Sequence, residues 1–144
     1  MSNAARHDRM LSRMTAHLLD AAGIQQGDAV LDVSCGCGAT TPDAARLAGR
    51  GNAVRVDVSG VTVAEADRKA ARDQAASARF VQADAQVHPF PAGGFDVVMS
   101  RLGMMFFDNP RAAPTSLCRA LRLGGRLAFL AGVNPPRTSS SGLR

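Results

Sequence analysis

The sequence predicts an α/β fold: a doubly wound, mostly parallel sheet of about five strands with helices between them. Three observations lead to it. Short, continuous apolar runs alternate with stretches whose apolar residues recur at helical spacing, as strands joined by crossover helices do. The first such run, Ala29-Val30-Leu31-Asp32-Val33, passes straight into a turn of small residues from Ser34 to Gly38. Acidic residues follow the next two runs, Asp57 after Val54-Arg55-Val56 and Asp84 after Phe80-Val81-Gln82-Ala83, which places both on the carboxyl edge of the sheet.

The elements follow in order. From Asp8 to Ala22, Met10, Leu11, Met14 and Leu18 fall at helical spacing and Gly23 supplies the stop, giving an amphipathic lead-in. The strand at 29–33 is apolar except for Asp32, which suits a strand covered on both faces. A short helix then reaches Gly49, and a second strand runs from Ala53 to Asp57. Thr62-Val63-Ala64-Glu65 has the spacing of a capping box within a helix extending to about Ala76. The third strand is Arg79 to Ala83, and a Pro- and Gly-rich loop from His88 to Gly94 leads to the fourth, Phe95 to Ser100. Asn109-Pro110 provides a cap and first residue for a helix reaching Leu121, and Gly124-Gly125 separates it from the fifth strand, Arg126 to Leu130. Pro42 and Pro114 fall within the first and last crossover helices. An interior proline costs about 3 kcal/mol, so these helices start late enough to hold it in the first turn, or they bend.

Length allows one hydrophobic core, with residues 1–27 as a helical lead-in, 28–132 as the domain and 133–144 as a disordered polar tail with almost nothing apolar to bury. Trp and Tyr are absent, so the core is built from Val, Leu, Ala and Phe. The net charge of +5 raises a nucleic-acid partner, but the arginines are scattered, Lys69 is the only lysine, and no aromatics interleave with a basic run. A solvated arginine-rich surface is the expectation. Cys35, Cys37 and Cys118 are odd in number and fit a reducing, cytoplasmic setting. With no second cysteine pair after Cys35 and Cys37, no metal site is expected. Met1 to Met10 holds no apolar run, so neither a secretory signal nor a membrane span is expected there.

The chemistry concentrates in the Ser34–Gly38 turn and the two acidic residues. Gly36 and Gly38 have no side chain to block a ligand, and the helix that follows offers free N–H groups. A tight structural turn would also explain them. Asp57 stands where a carboxylate accepts both hydroxyls of a ribose, or where it caps the next helix. Asp84-Ala85 lies on the same edge. In a dinucleotide-binding fingerprint starting at Gly36 the third glycine would fall at Thr41, which argues against that class.

Taken together, these segments resemble the class I S-adenosylmethionine-dependent methyltransferases, particularly small-molecule methyltransferase-like domains, from about Met10 to Gly132. Asp32-Val33-Ser34-Cys35-Gly36-Cys37-Gly38 is similar to the family's first motif, Asp57-Val58-Ser59 to its ribose-binding motif, and Phe80 to Ala85 to its adenine-binding segment. Pro89-Phe90-Pro91 through Phe95-Asp96-Val97-Val98 resembles its loop and fourth strand, and Leu121-Arg122-Leu123-Gly124-Gly125-Arg126-Leu127 the turn into the fifth. The resemblance implies a Rossmann-like sheet and S-adenosyl-L-methionine as cofactor, bound by Asp32, Ser34, Gly36, Gly38, Asp57, Val58, Asp84, Ala85, Ser100 and Arg101. Within that set, Gly36 and Gly38 pack against the cofactor, Asp57 holds the ribose, Asp84 takes the adenine amino group with the Ala85 N–H beside it, and Ser100 and Arg101 line the methyl-donor side.

A small-molecule methyl acceptor is implied, and no catalytic residue is assigned. His88 is the nearest candidate base, and a solvated loop histidine is the simpler role for it. Ser34 departs from the glycine usual at its position. Family members also continue past the fifth strand with a helix and two more strands, so the sheet is expected to be incomplete, as in a truncated or shortened enzyme. Leu127, Phe129 and Leu130 would then be poorly covered and favour self-association through the fifth strand. Two other functions remain open from sequence: a non-catalytic cofactor-binding or interaction protein on this scaffold, and a nucleic-acid methyltransferase.

Overall fold

The computed structural model describes residues 2–33, 40–73, 77–101 and 112–130, with side chains from 115 onward in the last span. Five strands, β1 (Ala29–Val33), β2 (Asn52–Asp57), β3 (Ala78–Gln82), β4 (Phe95–Arg101) and β5 (Leu121–Leu130), form one sheet in the order β3-β2-β1-β4-β5. Every pairing is parallel. Four helices, α1 (Asn3–Ala22), α2 (Thr40–Ala48), α3 (Gly60–Arg72) and α4 (Ala112–Ala120), alternate with them. Strand order reverses between β1 and β4, so the crevice at their carboxyl ends is where an open α/β sheet takes a ligand.

Period-two alternation gives the sheet two apolar faces. On one, Val30, Ala53, Val97, Met99 and Ala128 pack with Leu18 and Ala22 of α1 and Ala44, Ala45 and Ala48 of α2. On the other, Leu31, Val33, Val56 and Val98 pack with Leu117 and Ala120 of α4. The helix α1 therefore shares the sheet's core. It starts at Ser2, whose Oγ accepts the Ala5 N–H at 3.2 Å, and it ends at Gly23, whose φ of 56° lets its N–H close onto the Leu19 and Asp20 carbonyls.

Several expected boundaries move. The helix α3 is capped by Ser59, whose Oγ accepts the Thr62 N–H at 3.2 Å, so Thr62 is inside the helix and the capping box expected at Thr62–Glu65 does not start it. It closes at Arg72, short of Ala76, with Asp73 bonding back to Lys69. The strand β3 begins and ends one residue earlier than expected. Pro42 and Pro114 both sit in the first turn of their helices, where a missing N–H costs nothing.

The largest difference is β5, which begins at Leu121, ahead of the expected Arg126. Phe95 pairs with Leu121 and Val97 next with Arg126, so a long step on β5 opposes a short one on β4. Gly124, at φ 77°, lies within that bulge and does not separate helix from strand. Asn109-Pro110 and the tail at 133–144 lie outside the described residues. On β5, Leu127 and Phe129 are exposed as expected, at 43% and 42%, whereas Leu130, expected to be poorly covered with them, is half-buried against the core shared with α1 and α2. No described helix is long and apolar enough to cross a membrane.

Candidate functional site

The carboxyl ends of β1 and β2 carry a buried polar row on the face that α1 and α2 cover. Asp32 is the register partner of Arg55, and Asp57 lies two residues beyond Arg55 on the same face. Asp32 is fully buried and its Oδ2 accepts from the Thr41 hydroxyl at 2.8 Å, which ties the end of β1 to the first turn of α2. Asp57 is 8% exposed. Its Oδ1 accepts the Ser59 N–H at 2.9 Å, and its Oδ2 lies 3.6 Å from Nη2 of Arg55. That second oxygen accepts no hydrogen bond among the described residues. A buried carboxylate oxygen without a donor is costly, so it is an acceptor waiting for one.

One strand further out, Asp84 follows the end of β3. Its Oδ1 accepts the Gln86 N–H at 2.9 Å, and its carbonyl takes the N–H groups of Val87 and His88, which folds the chain into a compact turn. Ala85 is buried in the α4-side core. Val58 leaves its side chain 67% exposed beside Asp57, while its carbonyl accepts from the Gln82 amide at 3.3 Å. The structure thus puts Asp32, Asp57 and Val58 at adjoining strand ends, with the Asp84 turn beside them.

Ser100 and Arg101 finish β4 on opposite faces. The Ser100 hydroxyl donates to the Val33 carbonyl, fixing the last residue of β1 against β4. Nη1 of Arg101 donates to Thr15 Oγ1 at 2.6 Å and to the Leu11 carbonyl at 3.5 Å, so its guanidinium is engaged with α1. Ser34, Gly36 and Gly38, with Cys35 and Cys37, lie outside the described residues. The ring of His88 packs edge-on against Phe90, centroids 4.7 Å apart, and Phe90 meets Phe95 at 6.3 Å. This is the packing of a partly covered loop residue.

Sequence reasoning gave Arg55, Thr41 and Thr15 no structural role at the site. A signal for Arg55 was present: a charge in the middle of an apolar strand, at the spacing that shares a face with Asp57. Thr41 and Thr15 gave none, because nothing local to either threonine marks the partner it meets in the fold.

Comparison with known proteins gives this geometry a context. The ubiquinone/menaquinone biosynthesis C-methyltransferase UbiE of Azotobacter vinelandii is 35% identical over 129 residues, covering 88% of this chain and 50% of the relative. The chain spans about half the length of the curated relatives it matches. The crystal structure of the cyclase SpnF aligns with a TM-score of 0.75 at 27% identity, over 81% of this chain and 43% of its own. A geranyl diphosphate C-methyltransferase from Streptomyces coelicolor A3(2) shares the fold, with a TM-score of 0.76 at 23% identity over 85% of this chain and 46% of its own. The methyltransferase domain family matches residues 31–129, from within β1 almost to the end of β5 and well over half of the sequence, and the chain belongs to that family.

Proposed function

We propose that the chain binds S-adenosylmethionine at the carboxyl ends of β1, β2 and β3 and transfers its methyl group to a small-molecule acceptor. The open Oδ2 of Asp57 carries the reading. It is buried, it lies at the end of the strand next to the switch point, and a ribose diol supplies the donors it lacks among the described residues. In this reading Asp57 holds the ribose, Val58 offers an apolar surface to the adenine, and Asp84 takes the adenine amino group with the Ala85 N–H beside it. Gly36 and Gly38, with Ser34, would allow the cofactor close to the backbone, and the bond from Thr41 to Asp32 joins α2 to β1 on either side of them. Ser100 and Arg101 act as buttresses of the methyl-donor side, one holding β1 and the other α1.

When bound, the cofactor supplies a methyl group already activated on a sulfonium, so what the protein contributes is alignment of donor and acceptor and exclusion of water. A small-molecule carbon acceptor is supported by the relatives whose names make them quinone-biosynthesis C-methyltransferases. Calorimetric titration with S-adenosylhomocysteine tests the site. The wild type is expected to bind, and Asp57→Ala to lose about tenfold or more in affinity, since hydrogen bonds to a charged group are worth about 1.5–3 kcal/mol. No binding by the wild type, or equal binding by the variant, would remove the assignment. A second reading, cofactor binding without methyl transfer, is favoured by the fold shared with the cyclase SpnF, because one scaffold hosts several chemistries. Labelled methyl transferred from S-adenosylmethionine to a quinone-type acceptor separates the two.

A further inference from the structure

We infer that Arg55 is a positioning residue of the adenosyl site, holding the Asp57 carboxylate so that its inner oxygen stays open to the ribose. This role rests on the adenosyl-binding reading above and adds a residue to it. Arg55 is 1% exposed, one of the largest side chains the sheet buries completely. Its strand neighbours in register are Asp32 on β1 and Phe80 on β3, and Asp57 is the next residue on its own face. A guanidinium set among apolar residues needs acceptors or carboxylates beside it, and two carboxylate residues share this face.

The separation is the informative quantity. At 3.6 Å, Nη2 of Arg55 attracts Oδ2 of Asp57 yet lies beyond ordinary hydrogen-bond length. The lone pairs of that oxygen meet no donor among the described residues, while Oδ1 is fixed by the Ser59 N–H. One oxygen is clamped by the backbone and, among the described residues, the other is restrained by charge alone. Rotation of the carboxylate is opposed at both ends, and its acceptor capacity toward the ligand is kept. A closer, bidentate pair would have consumed that capacity.

The test is a coupling cycle between Arg55 and the ribose hydroxyls. Binding of S-adenosylhomocysteine and of the analogue whose ribose lacks both hydroxyls is measured for the wild type, Arg55→Met and Arg55→Lys. The wild type is expected to prefer the intact ribose by about tenfold or more. In Arg55→Met the preference should shrink to within about threefold, because the carboxylate is no longer held. Lysine keeps a buried cation without the planar fork, so Arg55→Lys should recover part of the preference, and it reads the same ratio if the Met variant does not fold. A merely structural role would weaken both ligands equally and leave the ratio alone. An unchanged ratio in the folded variants, or a wild type indifferent to the hydroxyls, overturns the role of Arg55. A wild type that binds neither ligand overturns the adenosyl reading itself.

Discussion

Asp57 and Asp96 stand at opposite ends of the sheet and are held in different ways. Asp57, at the carboxyl end of β2, keeps one oxygen without a donor among the described residues. Asp96, near the start of β4, has both oxygens engaged in structure, with Oδ2 accepting the Ala29 N–H at 2.8 Å and Oδ1 paired with Nε of Arg122. The Ala29 N–H, followed by the Arg122 side chain, holds its carboxyl below the ordinary value of 3.8. A group depressed in this way favours the folded state while ionised, so its contribution is complete above pH 3.8 and is lost as pH falls through the lower folded value. Asp96→Asn should therefore lower stability near neutral pH and flatten its decline in acid, as read from urea midpoints between neutral pH and about pH 3. Parallel declines for variant and wild type would show that Asp96 carries no such linkage.

Among the elements, the turn from α2 into β2 is held by backbone contacts on both sides. The N–H of Gly51 reaches the Ala48 carbonyl at 2.9 Å, and the Asn52 N–H reaches the Asp28 carbonyl at 3.1 Å. A side chain at Gly51 would run into that same Asp28 carbonyl, which is backbone and cannot step aside. Gly51→Ala is expected to cost about 1–3 kcal/mol in urea unfolding, the usual penalty of overpacking, and a change within about 0.5 kcal/mol would contradict the packing. The strands were legible because an apolar run bounded by turn residues has few alternatives. The start of α3 was not, since Ser59 and Thr62 can both cap, and only the bond from the Thr62 N–H to Ser59 Oγ decides between them. The start of β5 was hidden for a related reason: a glycine pair marks a helix end and a bulge equally well, and pairing with β4 selects the bulge.

At the scale of the molecule, the parallel order β3-β2-β1-β4-β5 gathers the strand ends that carry Asp32, Asp57 and Asp84 onto one edge. That convergence was legible in the sequence, because a buried parallel strand ends where its polar residues begin. The clamp on Asp57 was not, for it depends on register across β1 and β2 and on a helix cap after β2. If these groups serve one adenosyl pocket, they must respond to one ligand as a unit. Amide NMR spectra recorded through a titration with S-adenosylhomocysteine test this most directly. The expected result is that Gly36, Gly38, Val58, Ser59, Asp84 and Ala85 shift together with one midpoint while Ala29 and Arg122, at the opposite edge, stay put. Shifts confined to one of these segments, or appearing first at the amino edge, would contradict it.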